Sequence, residues 1–174
     1  MALRGNRTAD SHGQELRDRK AIEDVLLHFA RAIDLRDWTA YRAQFSTRVE
    51  IDYRSLIGGE VLSLSAKEWS DQAARSFSGF EATQHFVSNL LSSVDGDRGV
   101  CEAYVCAEHF ARSGEEPLSW SMGGRYRARL SRGDSGWRID ALRLGVLWSR
   151  GDEKIFELAG RNAPTDPLQD PERG

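Results

Sequence analysis

Apolar residues follow helical spacing through the first half of the chain and predict three helices. Over residues 15–35 they fall on one stripe, as expected for a helix that packs one face against a core. The stripe contains Ile22, Leu26, Phe29, Ala30 and Ile33. Asp37 is placed to cap a second short helix that ends at Phe45. The Ser-Ala-Lys-Glu sequence at 65–68 is a capping box and predicts a third helix that ends near Phe77.

Alternation of apolar and polar residues predicts five strands. One lies between the second and third helices, at 48–54. The other four occupy residues 82–93, 99–111, 118–130 and 137–148. Turn sequences at Asp95-Gly96 and 133–136 connect neighbouring strands, which predicts antiparallel hairpins. In the last strand the apolar phase shifts near Ala141, and one extra residue there predicts a β-bulge.

The order of these elements predicts the α+β class. Helices come first, consecutive strands follow, and no βαβ alternation is present. A curved, mostly antiparallel sheet of this length, wrapped around about three N-terminal helices, closes a cone whose mouth suits a small molecule. We expect a single domain at 14–160. Residues 1–13 and 161–174 are polar and aperiodic, and we expect them to be disordered tails.

Composition narrows the class of partner. The 174 residues are 40% hydrophobic and carry a net charge of −3, without the basic excess of a nucleic-acid-binding domain. No apolar run approaches the ~20 residues that span a bilayer, and the N-terminus lacks an apolar stretch typical of a signal peptide. We therefore expect a cytoplasmic protein that contacts neither nucleic acid nor membrane. Cys101 and Cys106 face opposite sides of one predicted strand and are not placed to form a disulfide.

Four polar residues interrupt the apolar faces of these elements and are candidates for chemistry. Asp34 lies beside the apolar stripe at the end of the first helix. His85 and His109 each lie on an inward strand face, and Tyr53 ends the buried face of the first strand. Imidazole has an ordinary pKa of ~6.5, which suits proton transfer near neutral pH. Each residue also has a structural alternative: a solvated carboxylate, a hydrogen-bonded core histidine or a buried tyrosine with a partner.

A second set of residues is expected to line the pocket and contact a substrate, with ordinary core packing as the alternative. These are Phe29, Trp38, Phe86, Asn89, Trp120 and Met122. Arg143, near the predicted bulge, is a candidate pocket cation. Two histidines and a carboxylate also form a known metal-binding set. However, no close ligand spacing supports it, and no dinucleotide, phosphate-loop, GxSxG or HExxH motif is present. We expect no metal and no cofactor.

Four stretches, in this order and spacing, carry a family resemblance. They are AIEDVLLHFARAIDLRDWTAYRAQFSTRVEIDY, ATQHFVSN, AYVCAEHFARSG and GGRYRARLSRGDSGWRIDALRLGVLW, which together cover roughly residues 17–150. The sequence resembles the SnoaL-like branch of the NTF2-like superfamily, and within it the scytalone dehydratase and bile-acid dehydratase group. The resemblance implies the cone fold.

The resemblance also implies site residues. The family carboxylate near the end of the first helix corresponds to Asp34, and the histidine on the first strand after the third helix corresponds to His85. A tyrosine at the end of the first strand matches Tyr53, and a polar residue on the following strand matches His109. A further family tyrosine falls about where this chain has Phe29, which has no hydroxyl to donate.

These observations predict a cofactor-independent, dehydratase-like lyase that acts on a hydrophobic oxygenated molecule such as a polyketide, a steroid or another secondary metabolite. His85 would transfer the proton while Asp34 orients its imidazole, and Tyr53 and His109 would donate hydrogen bonds to the developing enolate. The alternatives are an isomerase or cyclase using the same pair, a ligand-binding protein, or a structural protein like the small subunit of an oxygenase. The resemblance also implies a homo-oligomer, with a trimer favoured over a dimer.

Overall fold

The protein is represented by a computed structural model that describes residues 6–164, with side chains from residue 12 onward. The five helices in this range are α1 (Asn6–Asp34), α2 (Trp38–Ala43), α3 (Arg54–Ile57), α4 (Ala66–Phe77) and α5 (Lys154–Asn162). The six strands are β1 (Phe45–Asp52), β2 (Leu62–Ser65), β3 (Ala82–Asp95), β4 (Arg98–Ser113), β5 (Glu116–Gly133) and β6 (Gly136–Gly151). Within the described residues, no helix is long and apolar enough to cross a bilayer.

The strands form one curved sheet in the order β2-β1-β6-β5-β4-β3. All neighbouring strands are antiparallel except β1 and β6, which are parallel. Helix α1 packs across the sheet, mainly on β3, and α4 packs against α2, β1 and β2. The predicted α+β cone with a mostly antiparallel sheet is therefore confirmed. Its extent as one domain at 14–160 stays a prediction.

Helix α1 is longer than the hydrophobic pattern predicts. It begins at Asn6, so the expectation of disorder over 1–13 is wrong for residues 6–13, while residues 1–5 lie outside the described range. The buried Asp18 carboxylate accepts bonds from Arg132 at 2.8 Å and from the Trp137 indole at 3.2 Å, which ties the early turns to the sheet. Once a helix has nucleated, each further residue adds one backbone hydrogen bond, so polar residues can lengthen it. Such polar turns carry no apolar stripe, and the hydrophobic pattern therefore does not predict them.

The predicted helix caps are confirmed. The Asp37 carboxylate accepts the Ala40 backbone N–H at 2.8 Å and starts α2. At the start of α4, the Ser65 side chain accepts the Glu68 backbone N–H while Glu68 accepts the Ser65 backbone N–H, which completes the capping box. These caps satisfy backbone donors that a helix terminus leaves without partners.

The predicted β-bulge lies next to Ala141. Arg129 pairs with Ala141 and Leu130 with Ile139, so Asp140 is the extra residue. A second bulge in β6 leaves Leu147 unpaired, because Gly123 pairs with Trp148 and Gly124 with Val146. Bulges of this kind bend a strand, which helps the sheet to curve.

A third bulge, in β3, reverses the faces of that strand. The register shifts between Ser88 and Leu91, and Asn89 has a left-handed φ of +52°. Beyond the bulge the inward and outward positions exchange, so Leu91, which the alternation places on the inward face, is 73% exposed. The alternation holds for His85 but fails after this point.

Three elements have no counterpart in the sequence prediction: α3, β2 and α5. Helix α5 buries only Ile155 and Ala159, too few apolar residues for a recognisable stripe. It extends to Asn162, so the expectation of a tail from residue 161 is wrong for its first two residues, and residues 165–174 lie outside the described range. Close approach of Gly79 to the Ala159 backbone seats α5 against the body of the protein.

Candidate active site

A cavity of about 250 Å³ lies between the helices and the concave face of the sheet. Its wall is largely apolar and includes Ile33, Trp69, Phe77, Phe80, Trp120, Met122, Leu144 and Phe156. Its polar groups are concentrated in Tyr41, Tyr53, Tyr126, His85 and His109, with Gln72 and Ser76 from α4. The cavity therefore combines an apolar enclosure with a few hydrogen-bonding groups, as ligand sites do.

His85 lies in the wall of this cavity, and Asp34 forms a close pair with it from outside the cavity lining. Asp34 is the last residue of α1 and His85 lies near the start of β3, and these elements pack against each other. Asp34 Oδ1 lies 2.7 Å from His85 Nδ1, and Oδ2 accepts the His85 backbone N–H at 2.8 Å. The carboxylate assigns the ring proton to Nδ1 and leaves Nε2 as the basic nitrogen. The His85 side chain is 4% exposed.

His109 lies beside this pair and is buried among aromatic rings. Its ring centroid is 5.9 Å from His85, 5.3 Å from Trp120 and 5.1 Å from Phe80. Burial, reinforced by the nearby charge of His85, lowers the pKa of His109 to about 4. The buried His109 Nδ1 has no hydrogen-bond partner. The His109 side chain therefore contributes a neutral imidazole to the cavity wall near neutral pH.

Three tyrosine hydroxyls provide the other polar region of the cavity. Tyr53, directly after β1, lies within hydrogen-bonding range of Tyr126 on β5. Burial raises the pKa of both phenols, and that of Tyr41, above the ordinary value. These groups are therefore neutral hydrogen-bond donors at physiological pH. Tyr126 and Tyr41 were not among the predicted site residues, although Tyr126 lies on the inward face of its predicted strand.

Phe29 and Trp38 are close to the cavity but do not line it, which corrects their predicted role. Phe29 is fully buried beneath the tyrosines, 5.4 Å from the Tyr41 ring and 5.6 Å from the Tyr126 ring. Trp38 packs on Tyr41 at 5.9 Å, and its carbonyl accepts the Ser70 hydroxyl. Both residues support the tyrosine wall from behind.

Phe86 and Asn89 are also wrong as cavity residues, because they lie on the outer face of the sheet. Phe86 follows His85 and points to the opposite face, where it is 54% exposed. Asn89 occupies the β3 bulge and is exposed. Arg143 is exposed as well and lies 3.5 Å from the Asp52 carboxylate, away from the cavity. Trp120 and Met122 do line the cavity, as predicted.

Thr83 contacts Asp34, Arg36 contacts Thr83 in turn, and sequence reasoning missed both residues. The Thr83 hydroxyl donates to Asp34 Oδ1 at 3.1 Å, and Arg36 Nη1 donates to Thr83 Oγ1 at 2.7 Å. Thr83 shares a strand face with His85, so the alternation offered a weak signal for it. Arg36 lies in the turn after α1, where no periodic pattern applies.

No group of three His, Cys, Asp or Glu side chains within the described part of the chain is arranged to hold a metal ion. The polar groups that line the cavity are the His85 imidazole, which is paired with Asp34, the neutral His109 imidazole, three phenols, the Gln72 amide and the Ser76 hydroxyl. This set suits proton transfer and hydrogen bonding to a neutral oxygen.

The fold and the site together define an α+β cone that encloses an apolar cavity with few polar groups. The family model for the SnoaL-like domain matches residues 14–143, and the chain belongs to that family, within the NTF2-like superfamily.

The chain is also similar to individual proteins and to solved structures. The chain is 28% identical to the uncharacterized protein Rv2910c of Mycobacterium tuberculosis over 125 residues, 72% of this chain and 82% of that protein. The crystal structure of Kfla4162 from Kribbella flavida has a TM-score of 0.75 at 26% identity and covers 82% of this chain and 97% of that one. A hexachlorocyclohexane dehydrochlorinase, LinA type 2, has a TM-score of 0.67 at 18% identity, with 79% and 90% covered. The last similarity is one of fold.

Proposed function

We propose that the protein is a cofactor-independent lyase that eliminates water from a compact, uncharged, oxygenated molecule. The observation that carries this proposal is the Asp34–His85 pair, whose imidazole lines an apolar cavity. His85 Nε2 removes a proton from the carbon next to a carbonyl. The carbon–oxygen bond at the β position then breaks, the double bond forms, and the hydroxyl leaves as water with the proton that His85 returns. Asp34 holds the tautomer and stabilises the imidazolium.

The Tyr53–Tyr126 pair supplies the hydrogen bonds that this reaction needs at the carbonyl oxygen. Removing the proton places negative charge on that oxygen, and neutral phenols in an apolar cavity stabilise it well. Tyr126 thereby provides a second hydroxyl that Phe29 does not offer. His109 stays uncharged near neutral pH, so it contributes a hydrogen bond and not a charge.

Cavity size and lining limit the substrate class. About 250 Å³ lies below the ~300–1,000 Å³ that holds most drug-sized ligands, which favours a molecule of one or two rings over a steroid. None of the lining side chains is a lysine, arginine, aspartate or glutamate. A substrate with a carboxylate or phosphate inside the cavity would therefore lack a counter-ion. The fold shared with a dehydrochlorinase, an elimination enzyme by its name, is compatible with this chemistry.

The proposal is tested with two small probes. 4-Hydroxy-4-phenylbutan-2-one loses water to give a conjugated enone, and 5-nitrobenzisoxazole opens when a base removes its ring proton; both products are followed by absorbance. We expect the wild type to accelerate at least one reaction. His85→Gln should lower kcat by about a hundredfold or more, as should Asp34→Asn. His28→Gln, which changes an exposed histidine on α1, is the matched control and should leave the rate unchanged.

The outcomes separate the alternatives. Full turnover by His85→Gln contradicts the lyase proposal. Tight binding of probe without turnover by the wild type favours a ligand-binding protein. A product that retains the oxygen, formed only when His85 is present, indicates an isomerase or cyclase.

We also propose that the protein forms a homo-oligomer, with a trimer favoured, through the outer face of the sheet. Phe86, Cys106, Gly123 and Trp148 form one row across four strands, because each pairs with the next. Phe86 and Trp148 are 54% and 45% exposed, and Tyr104 nearby is 47% exposed. Exposed apolar surface of this kind marks interaction sites. Light scattering on the wild type and on Phe86→Glu tests the proposal, and a monomeric wild type contradicts it.

A further inference from the structure

Behind the Asp34 carboxylate, a chain of hydrogen bonds leads away from the cavity through Thr83 to Arg36. We infer that Thr83 and Arg36 are positioning residues that fix the orientation of Asp34, and through it the tautomer and orientation of the His85 ring. This inference rests on the proposed proton-transfer function.

Thr83 and His85 approach the same carboxylate from one strand. They are two residues apart on β3, so their side chains share a face. The Thr83 hydroxyl donates to Asp34 Oδ1 at 3.1 Å, and His85 Nδ1 lies 2.7 Å from the same oxygen. The His85 backbone N–H occupies Oδ2. Three donors from one strand segment therefore fix the carboxylate in a single orientation.

Arg36 determines the direction of the Thr83 hydroxyl. Its Nη1 donates to Thr83 Oγ1 at 2.7 Å and to the Ile33 carbonyl at 2.7 Å. A guanidinium has donors only, so it occupies a lone pair of the threonine oxygen. The hydroxyl proton is then left for Asp34. Without this contact, the hydroxyl would be free to rotate and to donate elsewhere.

The backbone at Arg36 is unusual in a way that fits this role. Its φ of +58° lies in the left-handed region, which glycine adopts more readily than any other residue. This turn directs the guanidinium back over the end of α1, where it reaches the Ile33 carbonyl and Thr83. Helix ends leave carbonyls without intrahelical partners, and a cation there is favourable. Burial and the nearby His85 lower the pKa of His109, and the positive charge of Arg36 lowers it further.

The test compares Thr83→Val, which keeps the side-chain shape but removes the hydroxyl, with Thr83→Ser, which keeps the hydroxyl. We expect Thr83→Val to lower kcat for the elimination probe roughly tenfold to a hundredfold with KM unchanged. Thr83→Ser should restore most of that loss. The matched control is Thr47→Val, at an exposed position on β1, which should leave kcat unchanged.

The Arg36→Gly variant removes the guanidinium and keeps a residue that can adopt the left-handed backbone conformation, so it tests the role of the side chain alone. Glycine suits the left-handed conformation, which offsets part of the stability lost with the Arg36 contacts, so the thermal midpoint should change little while kcat falls as in Thr83→Val. An Arg36→Gly variant with wild-type kcat overturns the role of Arg36.

Nitrogen-15 NMR of the His85 ring provides a readout that needs no turnover. The wild type should show the Nδ1–H tautomer alone, and Thr83→Val and Arg36→Gly should show both tautomers. If the wild type turns over no probe but the variants lose the single tautomer, the positioning role is supported and the lyase proposal fails. If the variants keep both the tautomer and kcat, the positioning role is overturned.

Discussion

The buried His109 predicts a pH dependence of stability that one substitution isolates. His109 is 5% exposed, and burial, with the nearby charge of His85, lowers its pKa from 6.5 to about 4. The unfolded chain therefore binds a proton at a higher pH than the folded protein does. The stabilisation is complete above pH 6.5 and is lost as the pH falls from 6.5 through about 4. A pKa difference of this size corresponds to about 3 kcal/mol of unfolding free energy.

Urea unfolding followed by tryptophan fluorescence, at several pH values between neutral and about 4, measures this effect. His109→Gln removes the titrating group and keeps a polar side chain. Carboxylates also titrate in this range: hydrogen bonds from Arg54 and Ser65 lower the pKa of Asp52 and Glu68, respectively. These groups are present in both proteins, so they cancel in the difference between wild type and variant.

The difference in unfolding free energy should change by about 3 kcal/mol across this pH range, with the wild type losing more stability in acid. A difference that stays constant with pH would refute the reasoning, because it would mean that His109 titrates alike in the folded and unfolded states. A shift of opposite sign would mean that the folded protein stabilises the charged ring.

Three further predictions follow from contacts in the fold and the site. Tyr53→Phe and Tyr126→Phe should each lower kcat for the elimination probe about tenfold or more. Because the two hydroxyls act as one pair, the double variant should lose little kcat beyond either single variant. Additive losses of kcat would contradict the pairing. Gly79→Ala should displace α5, because the added methyl would lie 1.7 Å from the Ala159 carbonyl oxygen, and amide exchange over 154–162 should speed up. Ser65→Ala removes the capping box of α4 and should cost about 1 kcal/mol in urea unfolding, whereas a cost near zero would mean that the cap is not used.

Much of the site could be predicted because the relevant strands alternate regularly. Trp120 and Met122 lie in the cavity, and His85, His109 and Tyr53 line it too. The periodicity of two was sufficient wherever no bulge intervened. The bulge beside Ala141 could be predicted because the apolar phase shifts visibly there.

The failures have separate physical causes. The β3 bulge falls at Asn89, a residue whose left-handed backbone no alternation reveals, so every later residue in that strand was assigned to the wrong face. Phe29 lies on the apolar stripe of α1, as predicted. However, an apolar stripe only marks buried positions and does not show which of them line a cavity. Arg36 contacts Thr83 across 47 residues of sequence, and only the tertiary fold brings the two together.

The parallel pairing of the first strand with the last has a consequence for biosynthesis. Phe45 lies beside Ile139 and Ile51 beside Leu142, so β1 gains this neighbour only after β6 has left the ribosome. Contacts between residues so far apart in sequence form slowly. The nascent chain therefore exposes an unpaired strand edge until β6 arrives, which makes premature termination within β6 an expected route to aggregation.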